Sequence, residues 1–113
     1  MAEFASLLTS IEDILSSEIT PSGEVRCGLG DVLTGEGDGT DVAMWTPDGY
    51  ISRPNDPTPG EATRALFIYD GNSRRIIGTR DSRFAANVGA LGEGDRAIVS
   101  NCAARILLKK ANS

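Results

Sequence analysis

Histidine is missing from this chain of 113 residues, and its absence removes both the commonest general base and the commonest metal ligand. Catalysis would then have to rest on Ser, Asp, Glu, Lys or Cys, and none of these stands in a nucleophile elbow or a Ser-x-x-Lys box. The Gly-x-x-x-x-Gly-Lys pattern that cradles phosphate is also missing. The sequence therefore predicts a protein that is not an enzyme, with no catalytic residues, no metal ligands and no cofactor.

Cysteine is scarce, because Cys27 and Cys102 are the only two and lie far apart in the sequence. A long-range disulfide and two buried free thiols in a reducing compartment are both open, and the second is favoured. No apolar run is long enough for a signal peptide or a membrane span. We therefore expect the chain to be intracellular when made, with membrane contact that is at most indirect.

Positive charge is also in deficit, with 16 acidic residues against 11 basic ones and a net charge of −5. Such a chain lacks the diffuse positive field that holds a nucleic-acid backbone, so nucleic acid is not an expected partner. The acidic, glycine-rich segment Thr34–Asp41 superficially suggests a calcium loop. It lacks the ligand spacing of an EF-hand, and the pattern favours a flexible hairpin loop instead.

The N-terminal stretch Ala2–Ile19 carries apolar residues at three- and four-residue steps, which predicts one amphipathic helix within residues 1–20. Thr20-Pro21-Ser22-Gly23 then ends the helix. Two alternatives have equal weight: the apolar stripe packs on the protein's own core, or it packs on another chain. In the second alternative the contact face consists of Phe4, Leu8, Ile11 and Leu15.

The rest of the chain, residues 21–113, reads as six or seven short strands separated by turns rich in glycine and proline. The clearest unit is a hairpin within Ala62–Phe84, with its turn at Asp70-Gly71-Asn72-Ser73. A second hairpin joins Arg96–Ser100 to Ala104–Lys110. The predicted fold is mainly β: a small OB-like β-barrel, preceded by the N-terminal amphipathic α-helix, because closing the sheet removes its exposed edges.

Several short blocks follow one another in the second half of the chain: Gly49–Pro54, Pro59–Ala62, Ala65–Tyr69, Ile76–Arg83, Leu91–Val99 and Ala104–Leu108. The order of these blocks resembles the N-terminal domain of the Mu-type phage baseplate spike proteins, also called baseplate assembly protein V. The likeness covers about half of the chain, and the order of the blocks carries more weight than any single one.

The resemblance implies an OB-fold barrel that assembles as a homotrimer on the tail axis and joins the baseplate hub to a membrane-piercing spike. The expected protein is then a structural virion protein of a contractile bacteriophage tail, with other baseplate or tail hub proteins as partners. It would be located in the tail baseplate of the virion, and in the host cytoplasm during assembly.

Family spikes continue into a triple β-helix and can carry a His-x-His iron site, whereas this sequence stops at Ser113 and has no histidine. We therefore expect a spike base, a hub plug or an adaptor. Arg80, Asp81 and Arg83, together with Ile106 and Leu108, are expected at a rim or an interface between subunits. The alternative function is a capsid decoration or head-tail connector protein, which is also small and rich in strands.

Overall fold

The computed structural model describes residues 9–101 and 105–109, and the chain divides into two compact units between Arg80 and Asp81. The first unit contains five strands, and the second contains two further strands beside short helical turns. The strands are β1 (Thr9–Ile19), β2 (Val25–Asp31), β3 (Glu36–Met44), β4 (Arg64–Asp70), β5 (Ser73–Arg80), β6 (Arg96–Val99) and β7 (Arg105–Leu108).

The first unit is a closed barrel in which the strands follow the order β1-β2-β3-β5-β4. Closure depends on the long strand β1, whose first half pairs with β4 and whose second half pairs with β2. All of these pairs are antiparallel except the short parallel contact between β3 and β5. The protein is therefore mainly β with a closed five-stranded barrel, which is consistent with the predicted small OB-like barrel.

A small apolar core fills the barrel, with Phe67 on β4 as its largest side chain. Every barrel strand contributes at least one fully or nearly fully buried residue, so the core joins all five strands. The core residues are Ile14, Val25, Cys27, Leu29, Val42, Ala65, Phe67 and Ile76. Tyr69 packs against this cluster, with its ring edge-on to Phe67 at a centroid distance of 5.6 Å.

The predicted N-terminal helix is wrong, because Thr9–Ile19 forms strand β1 and pairs with neighbours on both sides. Two physical causes explain the error. A β-bulge at Leu15 shifts the register between Ile14 and Ser16, and this shift breaks the alternation that marks a strand. Pairing with residues distant in sequence also outweighs local preference, which is weak in this stretch of β-branched residues and serines.

Both predicted hairpins are confirmed as antiparallel pairs. Gly71, with φ of 63°, lies in the turn between β4 and β5, where glycine adopts positive φ without strain. The predicted acidic loop Thr34–Asp41 is shorter than expected, because β3 begins at Glu36. Conversely, Val32 and Leu33, which precede that predicted loop, are part of the turn, which covers Val32–Gly35.

The second unit begins with a 3₁₀ helix at Ser82–Phe84 and a single α-helical turn, α1, at Ala85–Val88. It continues into β6 and β7, which pair only with each other in a two-stranded sheet. This sheet is called the ribbon below. A two-stranded sheet alone is marginally stable in water, so what covers the ribbon decides its stability.

Candidate interaction surfaces

Three exposed aliphatic side chains lie together on the outside of the barrel, where β1, β4 and β5 run side by side. Ile11 pairs with Leu66, and Leu66 in turn lies opposite Gly78 beside the bulged residue Ile77. Their exposed fractions are 59% for Ile11, 39% for Leu66 and 48% for Ile77. Directly paired residues on neighbouring strands share a face, so these three form one continuous apolar stripe across the strands.

Arginines border this stripe on both sides. Arg64 and Arg80 lie opposite each other in the row on one side, and Arg75 lies in the row on the other side. The Arg75 guanidinium also stands over the ring of Trp45, 5.7 Å from its centroid. We call this surface the arginine-framed face and define it by Ile11, Leu66, Ile77, Arg64, Arg75 and Arg80. Tryptophan and arginine are among the residue types enriched at protein interfaces, and exposed aliphatic side chains gain free energy when a partner covers them.

The inward side of the same strands is partly polar, although aliphatic residues face outward on these strands. Glu12 follows Ile11 on β1 and faces inward, where its carboxylate lies 3.4 Å from the Arg74 guanidinium. Arg74 also covers the ring of Phe67, at 5.0 Å from the centroid. At this end of the barrel an ion pair is half-buried while an isoleucine faces outward, so simple core packing does not explain the position of Ile11.

The second exposed feature is the turn of the β2–β3 hairpin, which we call the hairpin tip and define as Asp31–Glu36. Leu33 at its centre is 80% exposed, the most exposed large hydrophobic residue described. Two hydrogen bonds order the turn: the Leu33 N–H donates to Asp31 Oδ1 at 2.8 Å, and the Gly35 N–H donates to the Asp31 carbonyl at 2.8 Å. Asp31 and Glu36 form the last cross-strand pair, so two carboxylates flank the leucine.

The hairpin tip is also anchored at its base. The Val32 N–H donates to Asp13 Oδ2 at 3.2 Å, and the other oxygen of that carboxylate lies 3.6 Å from Arg64 Nε. The tip is thus an ordered turn that holds a leucine in solvent. Holding such a side chain out of a core forgoes a burial free energy of about 2 kcal/mol, which a partner surface can recover.

The third feature is one face of the ribbon in the second unit. Ile98 pairs directly with Ile106, and Leu108 lies two residues further along β7 on the same face. Their exposed fractions are 53%, 60% and 61%. The opposite face, with Ala97, Val99 and Leu107, is half-buried. Ile106 and Leu108, predicted from the sequence as contact residues, therefore share one exposed apolar face with Ile98.

The residues predicted to form one contact face on an N-terminal helix do not lie on a common surface within the described part of the chain. Ile11 lies on the arginine-framed face, whereas Leu15 lies at the bulge on the β2 side, where its Cδ1 occupies space that a side chain at Gly30 would need. Phe4 and Leu8 lie outside the described residues. The helix that was expected to group these residues does not form within Thr9–Ile19, so Ile11 and Leu15 serve different surfaces.

The predicted rim charges have different local roles. Arg80 ends β5 and is exposed. Asp81 caps the following 3₁₀ helix, where its Oδ1 accepts hydrogen bonds from the Arg83 backbone N–H at 3.0 Å and from Arg83 Nε at 2.8 Å. The Asp81 side chain is only 3% exposed, so its charge is used within its own segment.

Cys27 is fully buried in the barrel core as a free thiol. Burial raises the pKa of this thiol to about 11, with a smaller contribution from the Asp41 carboxylate. The thiol is therefore protonated and unreactive at neutral pH. Cys102, the partner of Cys27 if the two form a disulfide, lies outside the described residues.

Two further properties concern the described part of the chain only. Residues 9–101 and 105–109 contain no group of three or more Cys, Asp or Glu side chains placed to hold a metal ion. Among the same residues, no helix has the length and hydropathy that a membrane span requires.

Sequence patterns missed the arginine-framed face and the hairpin tip, although one signal for them exists. Residues 1–48 contain ten acidic residues and a single basic one, Arg26. Residues 49–80 contain five arginines and three acidic residues. This segregation places positive charge on β4 and β5, which carry four of the arginines, and negative charge near the β2–β3 hairpin. No family model, curated protein or solved structure matches this chain.

Proposed function

We propose that this chain is a structural protein that works by assembling into a homo-oligomer, and that its setting is the central baseplate of a contractile phage tail or a related injection system. In this setting it forms a spike base, a hub plug or an adaptor. A role without catalysis is supported by three exposed apolar groups on ordered strands and turns, which suit contacts with other chains. The tail setting comes from the sequence resemblance and is independent of these surfaces.

The finer assignment of the barrel to the OB fold belongs to the same proposal. Support comes from the order β1-β2-β3-β5-β4, from a first strand shared between β2 and β4, and from the parallel contact between Met44 and Ile76. A five-stranded Greek-key barrel of this kind is the OB architecture. The barrel then acts as a rigid platform, and the exposed groups carry the contacts.

The exposed face of the ribbon is the observation that carries the proposal. Two strands of four residues each cannot bury three large aliphatic side chains on the face that they leave in water. Association with other copies through Ile98, Ile106 and Leu108 would cover this face and extend the sheet. Three copies around an axis, as in the homotrimer that the resemblance implies, would each contribute one ribbon.

The proposal is tested by replacing Ile106 with aspartate and measuring mass by light scattering after size-exclusion chromatography. We expect the unmodified protein to run as a trimer and the Ile106→Asp variant to run as a folded monomer. Asn101→Asp, an exposed polar site outside the apolar face, is the matched control and should remain trimeric. An unmodified protein that is monomeric at all accessible concentrations would refute the homo-oligomer.

Location in a particle tests the setting. Density for this chain on the tail axis at the baseplate would support the spike base, hub plug or adaptor. Density on the capsid or at the neck would instead support the decoration or connector role and would overturn the tail assignment.

A further inference from the structure

The hairpin tip and the arginine-framed face have complementary chemistry. The tip presents one aliphatic side chain, Leu33, between the carboxylates of Asp31 and Glu36. The face presents an aliphatic stripe with Arg64 and Arg80 in the row on one side and Arg75 in the row on the other. Arg64 also lies 3.6 Å from the Asp13 carboxylate of its own copy, so Arg80 is the more available of the pair. We propose that the hairpin tip of one copy docks on the arginine-framed face of another copy, with Leu33 against the stripe and its two carboxylates against Arg64 and Arg80. This inference rests on the proposed homo-oligomer and names one of its contacts.

The dimensions of the two surfaces agree. Three adjacent strands place Ile11, Leu66 and Ile77 across about 10 Å, because neighbouring strands lie about 4.8 Å apart. The rows that carry arginines lie two residues along the strands from the stripe, at about 7 Å on either side. The Asp31–Glu36 pair has the same spacing as the Arg64–Arg80 pair, so the two carboxylates can face that row while Leu33 lies on the aliphatic stripe beside it.

Charge favours the tip over other surfaces of the same barrel. Glu18 and Asp41 form a second acidic area on the outward side of β1, β2 and β3, but Arg26 stands directly opposite Glu18, and Gly28, opposite Asp41, offers no side chain to the aliphatic stripe. The tip places the most exposed aliphatic side chain described, Leu33 at 80%, between two carboxylates, whereas Ile19 beside Glu18 and Leu91 near Glu93 are less exposed, at 48% and 43%. Guanidinium groups bind carboxylates through paired hydrogen bonds, which makes arginine suited to such a contact.

Both partners of the contact are ordered before they meet. The Asp31 carboxylate accepts from the Leu33 N–H and the Asp31 carbonyl accepts from the Gly35 N–H, and these two bonds order the turn that carries Leu33. The face lies on paired strands of a closed barrel. Little conformational entropy is then lost on docking. The contact is small compared with a stable interface, so it adds to the ribbon contact rather than replacing it. Each copy can donate one tip and accept one.

Disulfide trapping tests this contact directly. Two differently tagged proteins, one with Leu33→Cys and one with Leu66→Cys, are mixed under mild oxidation in a Cys102→Ser background. We expect a disulfide-linked dimer that contains one copy of each tagged protein. The matched control replaces Leu33→Cys with Glu18→Cys, which is exposed on the other acidic area and should give at least about tenfold less product, because a disulfide needs Cα atoms within about 7 Å.

Charge exchange then tests the role of the arginines. Adding Arg80→Glu to the Leu66→Cys protein should lower the yield of the linked dimer about fivefold or more. Adding Glu36→Lys to the Leu33→Cys protein as well should restore it, since the exchanged charges attract again. Arg53→Glu is the control, because Arg53 is exposed in the loop after β3 and bonds to Ser17 away from the face.

The outcomes separate this inference from the proposed function. An oligomer measured by light scattering, with no trapping above the Glu18→Cys control, would overturn the tip-to-face contact and leave the homo-oligomer standing. A monomeric unmodified protein would refute the homo-oligomer and this inference with it. Efficient trapping that Arg80→Glu does not reduce would overturn the electrostatic part of the argument.

Discussion

Gly30 on β2 is the position at which adding one methyl group should most damage the barrel. A Cβ built on Gly30 would collide with the backbone carbonyl of Glu36, and it would lie 2.7 Å from the Gly37 Cα and 2.6 Å from the Leu15 Cδ1. The leucine can rotate away, but the other two atoms belong to the backbone of β3. We therefore expect Gly30→Ala to push β3 away from β2.

The magnitude follows from the pairs that such a displacement breaks. Gly30 pairs with Gly37, and the next residue, Asp31, pairs with Glu36. Losing two or three ladder hydrogen bonds costs about 1 kcal/mol each, and the crowding adds about 1–3 kcal/mol. The expected loss is about 3–6 kcal/mol of unfolding free energy, a large part of the total stability of about 5–15 kcal/mol typical of a domain.

The assay is urea denaturation followed by circular dichroism and by the fluorescence of Trp45, the single tryptophan. Gly78→Ala is the matched control, because Gly78 is also a strand glycine without positive φ and a Cβ there meets nothing within 4 Å. We expect the control to stay within about 1 kcal/mol of the unmodified protein. A Gly30→Ala variant as stable as the Gly78→Ala control would refute the close approach of β2 and β3.

Two further predictions concern the core. Phe67→Ala should lower the unfolding free energy by about 3–5 kcal/mol in the same denaturation assay. Leu66→Ala, on the outward side of the same strand, should lower it by about 1 kcal/mol or less. Equal losses for the two variants would contradict the inward position of Phe67. Because the pKa of Cys27 is raised from 9.0 to about 11, the folded protein keeps a proton that the unfolded chain loses between these values. The unfolding free energy should therefore fall by about 3 kcal/mol as pH rises through this window. Measured by denaturation across this pH range, Cys27→Ala should lose this part of the pH dependence. A variant with the same pH dependence as the unmodified protein would place the thiol in solvent.

The sequence was sufficient where local chemistry determines structure. The β4–β5 hairpin followed from a β-branched and aromatic strand, a turn at Gly71-Asn72 and a second apolar run, and the structure has all three. Composition and turn spacing also predicted a mainly β fold with a small closed barrel. The hairpin depends on residues that are close together in the sequence, whereas the barrel was expected because closing a sheet removes its exposed edges.

Strand β1 could not be predicted in this way. The spacing of Ile11, Ile14 and Leu15 matches a helix, but in the structure it results from one outward residue, one core residue and one bulge residue. The inward position beside Ile11 is held by Glu12, whose partner Arg74 lies far along the chain. A pattern rule that assigns apolar residues to the core fails when the strand carries an outward apolar stripe.

The contact surfaces could not be predicted either, because they depend on how separate segments pair in the fold. Leu33 precedes the predicted loop Thr34–Asp41, yet it lies at the centre of a turn. The aliphatic stripe joins residues from three strands, so no single segment displays it. Predicting such a surface requires the strand register, and the register depends on bulges at Leu15 and Ile77 that the sequence does not mark.

The double pairing of β1 has a consequence for how the chain folds during synthesis. The second half of β1 can pair with β2 early, because the two strands are joined by a short turn. The first half must wait for β4, since Ile11 pairs with Leu66. Such distant pairing is slow, and until it forms the growing chain exposes a free strand edge beside apolar side chains. We therefore expect the newly made chain to be most prone to aggregation after β3 has left the ribosome and before β4 has docked.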